Sequence, residues 1–307
     1  MREILLNQNE ILIEAYKNIE SKKSLKYSAL FELDDDRKIH DIVRAIGQGN
    51  ELSDSTIDLS DPAYEIKAIM IDNMLKFTFL LQGIKIQDSS PMPCKTTYSV
   101  VVKFWEIENS SKKFVEIDVD NVATYFRLDK SNFFTFMIDT VLNYLQTDFA
   151  LSLKAIDLYA VLEKIKDKEK SGELKNLPKA SAQKMVLSSG SQAILDSNDA
   201  ETIILPILGE LKKLIEANEK LFSESPDVKI LIEDFIKDTE LMSDLPWITF
   251  TWDDKIKSKK IQVKFVFSDY PYTLLSYYSH TKGRSGMNDV VESLLKEYCN
   301  FTNSNNQ

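Results

Sequence analysis

Few residues in this chain have the type and spacing that chemistry requires. Glu65-Ile66-Lys67 sits in a stretch of period-two hydrophobicity, so both side chains point to one face of a strand, with Asp54, Asp58 and Asp61 upstream. Acidic oxygens beside a Lys could hold Mg²⁺ and orient an attacking water. The only other dense group of reactive side chains lies at 255–284: Lys255, Lys257, Lys259, Lys260, Lys264, Lys282 and Arg284 face a single acid, Asp269, and are interleaved with Phe265, Phe267, Tyr270, Tyr272, Tyr277 and Tyr278. Ammonium groups attract phosphates or carboxylates, and exposed rings stack on unpaired bases.

The Glu65-x-Lys67 pair, with Asp61 as its upstream acid, resembles the PD-(D/E)xK nuclease pattern. It departs from that pattern because the upstream acid belongs on an adjoining strand and here falls in a nearby loop. Glu116-x-Asp118 and Asp118-x-Asp120 repeat the same spacing, which any solvent face of an antiparallel sheet produces. The resemblance implies a Mg²⁺-dependent nuclease as the alternative reading, with Glu65, Lys67 and Asp61 in the catalytic roles.

Other chemistries lack their parts. The only G-x-G, Gly47-Gln48-Gly49, follows a helix pattern instead of a strand and reads as a helix stop; there is no GxxxxGK[ST] and no G-x-S-x-G. His40 reads as a helix-surface residue and His280 as a solvated loop residue. Cys94 and Cys299 are far apart and outside any CxxC, so neither a zinc site nor a disulfide is expected. No cofactor and no metal is expected.

The chain has 307 residues with 38 Lys plus Arg and 48 Asp plus Glu, for a formal charge of −10. Its composition is that of an ordinary globular protein, with no secretory leader pattern and no apolar run long enough to span a bilayer. A cytoplasmic protein with no membrane partner is the expectation. Only five basic residues are Arg, which disfavours a dedicated reader of base sequence.

The elements that must position these residues follow from periodicity. A helix is expected over 3–21, a strand over 25–33 and a short helix capped by Asp34–Asp36 and ended by Gly47. From 64 to 128 five strands alternate (YEIKAIMID, MLKFTFLLQGIKI, TTYSVVVKFWEIE, KFVEIDV, VATYFRL), with turns at Asp72-Asn73 and Asn109–Lys112. A helix capped by Ser131 follows. Residues 153–243 read as mainly helical, with a weak Ser/Ala/Lys-rich connection at 174–199, a helix from Ala200 to Phe222 interrupted at Pro206, and a start signal at Ser225-Pro226. WITFTWDD, KIQVKFVF and YTLLSYY return to strands before a last helix.

The fold class is therefore α+β, divided as an N-terminal lobe with an antiparallel meander (1–150), a helical segment (151–245) and a C-terminal meander plus helix (246–307). The order hairpin, strand, helix occurs at both ends, which is compatible with an old βββα duplication. The functional expectation is a non-catalytic binding protein. It recognises a macromolecular partner, an anionic protein face or a nucleic acid, through Lys255, Lys257, Lys259, Lys260, Tyr270, Tyr272, Lys282 and Arg284. An acidic scaffold that binds a basic partner is a third reading. Strand addition or homo-oligomerisation through free edges of the 64–128 meander is a further mode of contact.

Overall fold

A computed structural model describes residues 2–47, 56–61, 64–108, 110–127, 132–170, 178–187, 190–196, 206–241, 244–253, 260–267, 270–278 and 283–305. The fold is α+β with mostly antiparallel strands, and the chain forms two compact units: Met1–Leu158 with Pro271–Gln307, and Tyr159–Tyr270.

In the first unit the strands are β1 (Tyr27–Asp34), β2 (Thr56–Ile57), β3 (Ala68–Ile71), β4 (Met74–Gln87), β5 (Ser90–Glu106), β6 (Lys113–Val119), β7 (Ser152–Ala155) and β12 (Leu274–Tyr277). They run in the order β2-β4-β5-β6-β1-β12, with β3 also on β4 and β7 also on β1. Long antiparallel registers join β4 to β5, β5 to β6 and β6 to β1. One edge of β1 is shared, with Tyr27–Ala29 paired to β12 and Phe31–Asp34 to β7.

Period-two geometry gives this sheet two faces. Ala29, Phe31, Leu75, Phe77, Phe79, Val100, Val102, Val115 and Ile117 fall on one of them and are all buried. That face takes α2 (Ile39–Ile46), through Ile42, Val43 and Ile46, and α3 (Phe133–Thr147), through Phe133, Met137, Ile138, Val141 and Leu145. Phe77 meets Tyr144 edge to face at 5.8 Å. The opposite face carries Ser28, Leu30, Lys76, Val101, Lys103, Phe114, Glu116 and Asp118, and groups on it bond to α1 (Arg2–Lys22) and α8 (Arg284–Asn305).

The segment VATYFRL, expected as a strand, is irregular over its described residues 122–127 apart from a single 3-10 turn at Thr124–Phe126. Its apolar side chains mimic alternation, but only Phe126 is buried in this turn. The turn sits directly over Gly83, where a Cβ would lie 2.3 Å from the Tyr125 carbonyl oxygen. Only a residue without a side chain lets the two backbones approach so closely.

The second unit holds α4 (Tyr159–Lys170), β8 (Lys179–Val186), β9 (Gln192–Asp196), α5 (Pro206–Ala217), α6 (Glu219–Glu224), α7 (Pro226–Leu241), β10 (Asp244–Asp253) and β11 (Lys260–Val266). Its strands follow the order β11-β10-β8-β9, all antiparallel. The weak stretch at 174–199 contains the β8–β9 hairpin, whose alternation is blurred because Ser, Ala and Lys stand where larger apolar residues would announce a strand. Pro206 is the first described residue of α5, the residues before it lying outside the described ones, and Pro226 opens α7 after Ser225, where a first-turn Pro loses no intrahelical bond. Met185, Leu208, Ile215 and Ile236 form the core beneath these helices.

Candidate functional site

The sequence-selected lysines and tyrosines divide between the two units. Lys255, Lys257, Lys259 and Lys282 fall outside the described residues. Lys260 is exposed at the head of β11, opposite Asp253. Along β11 Ile261, Val263 and Phe265 turn inward, and Lys260, Gln262 and Lys264 alternate with them. Phe265 packs against Phe250 and Trp252 with centroids at 6.0 and 6.1 Å. Lys264 Nζ stands 4.0 Å above the Trp247 ring. Tyr270, half-buried, closes the second unit.

Tyr272 and Arg284 belong to the first unit, and both are buried. The Tyr272 hydroxyl bonds to the Asp139 carboxylate at 3.2 Å, and its ring meets Phe31 edge to face. Arg284 donates to Asp118 at 2.5 Å. These two side chains are thus committed to internal partners.

Glu65 and Lys67 lie in an irregular segment just before β3, not in the strand expected from YEIKAIMID, and pair with each other at 3.0 Å. Glu65 is exposed and borders an open cavity of about 770 Å³ with Tyr64, Asn143, Tyr144 and Asp148. Asp61 is in the turn that follows β2. Among the described residues no group of three or more His, Cys, Asp or Glu side chains could hold a metal ion. His40 is solvent-exposed, and Cys94 and Cys299 are free thiols.

Among the described residues, a buried charged cluster lies where the sequence predicts a solvent face. Glu116 and Asp118 are 1% and 0% exposed. Period two on β6 aims both at the layer of α8, and register brings Ser28 of β1 and Lys103 of β5 beside them. Ser28 Oγ donates to Asp118 Oδ1 at 2.5 Å and lies 3.4 Å from the Tyr277 hydroxyl. The Trp105 indole donates to Glu116 Oε2 at 2.8 Å. Lys103 donates to Asn288 Oδ1 at 2.8 Å and lies 3.5 Å from the Trp105 ring centroid. Residues 284 and 288 are one turn apart on α8, so the helix addresses both ends of this row from one side. Gly283, at φ 61, brings the chain into α8 close to the Lys22 carbonyl.

Burial, reinforced by the neighbouring Asp118 carboxylate, pushes Glu116 up to about 8. Burial also lowers Lys103 and raises Tyr277 well above the ordinary phenol range. The network continues to both sides. Lys76 donates to Glu20 at 2.6 Å and to the Tyr16 hydroxyl at 2.7 Å, binding α1 to β4. Near the other end of α8, Tyr298 donates to Glu32 at 2.8 Å, and Lys112 pairs with the same carboxylate at 2.9 Å. Chemically, the cluster can hold a proton and fasten helices to the sheet. Period-two pairs signalled Glu116 and Asp118; nothing local signalled Ser28, Lys103 or Asn288, whose roles depend on strand order.

Comparison with family models, with curated proteins and with solved structures finds no match for this chain.

Proposed function

We propose that the chain is a non-catalytic binding protein that takes an anionic partner, a protein face or a nucleic acid, on the β10–β11 hairpin. The observation that carries this reading is the alternation along β11. Its apolar residues Ile261, Val263 and Phe265 are buried, which leaves Lys260, Gln262 and Lys264 on the other side, close in sequence to Lys255, Lys257 and Lys259. A row of cations on a chain of net charge −10 favours a local contact that salt screens strongly. Because Tyr272 and Arg284 are internally bonded, they drop out of the contact surface in this reading.

The test is charge reversal. Lys257→Glu, Lys259→Glu and Lys260→Glu together should abolish capture of an anionic partner, read with heparin and single-stranded oligonucleotides as probes, with little change in melting temperature. Undiminished, salt-insensitive capture overturns the proposal, and selective capture of basic proteins favours an acidic scaffold.

A second reading rests on Glu65, which borders a cavity and has Lys67 at 3.0 Å. It assigns Mg²⁺-dependent nuclease activity to Glu65, Lys67 and Asp61. Metal-dependent cleavage that disappears in Glu65→Ala would replace the binding reading.

A further inference from the structure

Gly83–Cys94 is a ribbon of two strands only. On β4, β3 covers Met74–Phe77 and β2 covers Thr78–Phe79; on β5, β6 begins at Val100. Beyond those limits β4 and β5 pair with each other alone, among the described residues, up to a two-residue loop at Asp88-Ser89. Ile84, Ile86 and Met92 are 64%, 76% and 50% exposed. Ile84 stands opposite Pro93 and Ile86 opposite Pro91, so two Ile and two Pro share one side of the ribbon.

The two edges of this ribbon differ chemically. A two-residue loop makes Gln87–Ser90 a hydrogen-bonded pair, so Lys85–Met92 and Gly83–Cys94 are bonded in turn. The loop at Asp72-Asn73 gives the same phase, because Ile71–Met74 is then bonded and even-numbered β4 residues aim their amides away from β5. Ile84 and Ile86 therefore present N–H and C=O outward on the β4 edge. On the β5 edge the equivalent outward positions are Pro91 and Pro93, which have no N–H. Proline at outward positions blunts an edge. Among the described residues the β5 edge is closed, and the β4 edge is open beyond Gln82, whose side chain donates to Ser60 Oγ at 3.2 Å.

We propose that this open edge is a self-association site, where Gln82–Ile86 of a second copy pairs antiparallel with Gln82–Ile86 of the first. The required complement is a strand with outward donors at alternate residues, apolar side chains on the matching face and a far edge that accepts nothing more. The chain itself carries that strand. A pairing centred on Ile84 lets the two Ile84 residues exchange both N–H···O=C bonds and gathers Ile84 and Ile86 of both copies on one side. It also sets Lys85 opposite Gly83. A pairing centred on Lys85 would oppose two ammonium groups and is disfavoured. Because Pro91 and Pro93 close both outer edges, assembly stops at a two-fold, four-stranded dimer and does not continue into a fibre. This inference is independent of the β10–β11 hairpin.

Sedimentation velocity of the full chain, from micromolar to near-millimolar concentration, should show a monomer–dimer equilibrium. Ile84→Pro deletes an outward donor from each copy and leaves the β4–β5 ladder intact. It should weaken dimerisation by about tenfold or more, since each lost hydrogen bond is worth about a factor of five to ten. Ile86→Lys keeps the backbone and should weaken dimerisation through charge. Ile84→Cys should form an intermolecular disulfide on mild oxidation, because the two Cα atoms would lie within bridging range. A chain that stays monomeric at every concentration overturns the proposal, as does a dimer unaffected by both Ile84→Pro and Ile86→Lys.

Discussion

The two faces of the first unit's sheet are built on the same strands by opposite rules. Under α2 and α3, Phe31, Leu75, Phe77, Phe79, Val102 and Ile117 are apolar and exclude water through shape alone. Toward α1 and α8, Ser28, Lys76, Glu116 and Asp118 are as deeply buried, yet polar. Both faces are dry because their groups are satisfied differently. Dispersion and the hydrophobic effect act on one. On the other, each ion has a partner within hydrogen-bond distance, which offsets the cost of removing it from water. An apolar contact can shift and re-pack, whereas a buried ion pair has one geometry. The charged face thus fixes where α1 and α8 dock, and the apolar face supplies the bulk of the burial.

The sharpest way to break this comparison is to remove one partner. Arg284→Met leaves Asp118 buried without its cation and should cost about 3–5 kcal/mol. Phe77→Ala on the opposite face should cost a similar amount, about 3–5 kcal/mol, through a cavity. The faces should then separate in rescue. Adding Asp118→Leu to Arg284→Met removes the stranded charge and should recover most of the loss, while no single change beside Phe77→Ala fills its hole. Urea unfolding of the three variants beside the parent chain measures this. If Arg284→Met costs less than about 1 kcal/mol, the charged face is not held by pairing and the contrast fails.

At the edge of the apolar face, Gly83→Ala comes next. Its Cβ would stand 2.3 Å from the Tyr125 carbonyl oxygen and 2.8 Å from Phe126 Cδ1. A backbone atom cannot swing aside, so the 3-10 turn must lift, at about 1–3 kcal/mol. The pH dependence should stay as it is in the parent chain, because Gly83 lies outside the charged network.

That pH dependence is itself a signature of the charged face. Glu116 sits at about 8 when folded, against an ordinary value of 4.5. Between those values the folded chain holds a proton that the unfolded chain has released, so stability should fall as pH rises through this window. The slope is about 1.4 kcal/mol per pH unit at most. Lys103 has the opposite sign, since burial lowers it and its contribution should rise with pH on the alkaline side. Glu116→Gln retains an acceptor for the Trp105 indole and removes the proton. It should flatten the curve between pH 5 and about 8, read as melting temperature in a buffer series. A curve unchanged by Glu116→Gln would remove this group as the cause.

Much of the scaffold was legible in the residues. Alternation in MLKFTFLLQGIKI and KFVEIDV announces β4 and β6, and Ser225-Pro226 announces the start of α7, because these signals are local. The burial of Glu116 and Asp118 was not legible. Alternation says that a strand has two unlike faces, not that the polar one meets water; that depends on α8, more than 160 residues away in the pair Arg284–Asp118. For the same reason Arg284, grouped by sequence proximity with the lysines of 255–282, bonds internally. The β8–β9 hairpin escaped notice because Lys, Ser and Ala at its positions carry little strand signal. The outward prolines of β5 could be read from sequence only once the phase of the β4–β5 hairpin was known.

The smallest effect belongs to the tip of that hairpin, which lies on neither buried face. Asp88 and Ser89 adopt φ 49 and φ 64, so both central residues are left-handed, as a primed two-residue turn demands. Ser89 pays for this conformation with steric strain that glycine does not meet, although glycine also gives up more freedom on folding. The two terms oppose each other, and strain is the larger, so Ser89→Gly should stabilise the chain by about 0.5 kcal/mol. The gain should be equal at pH 5 and pH 8, because no titrating group of the charged face is near the turn. A Ser89→Gly increment that changed with pH would mean that the ribbon and the buried network are coupled, and the division into two independently built faces would have to give way to one cooperative sheet.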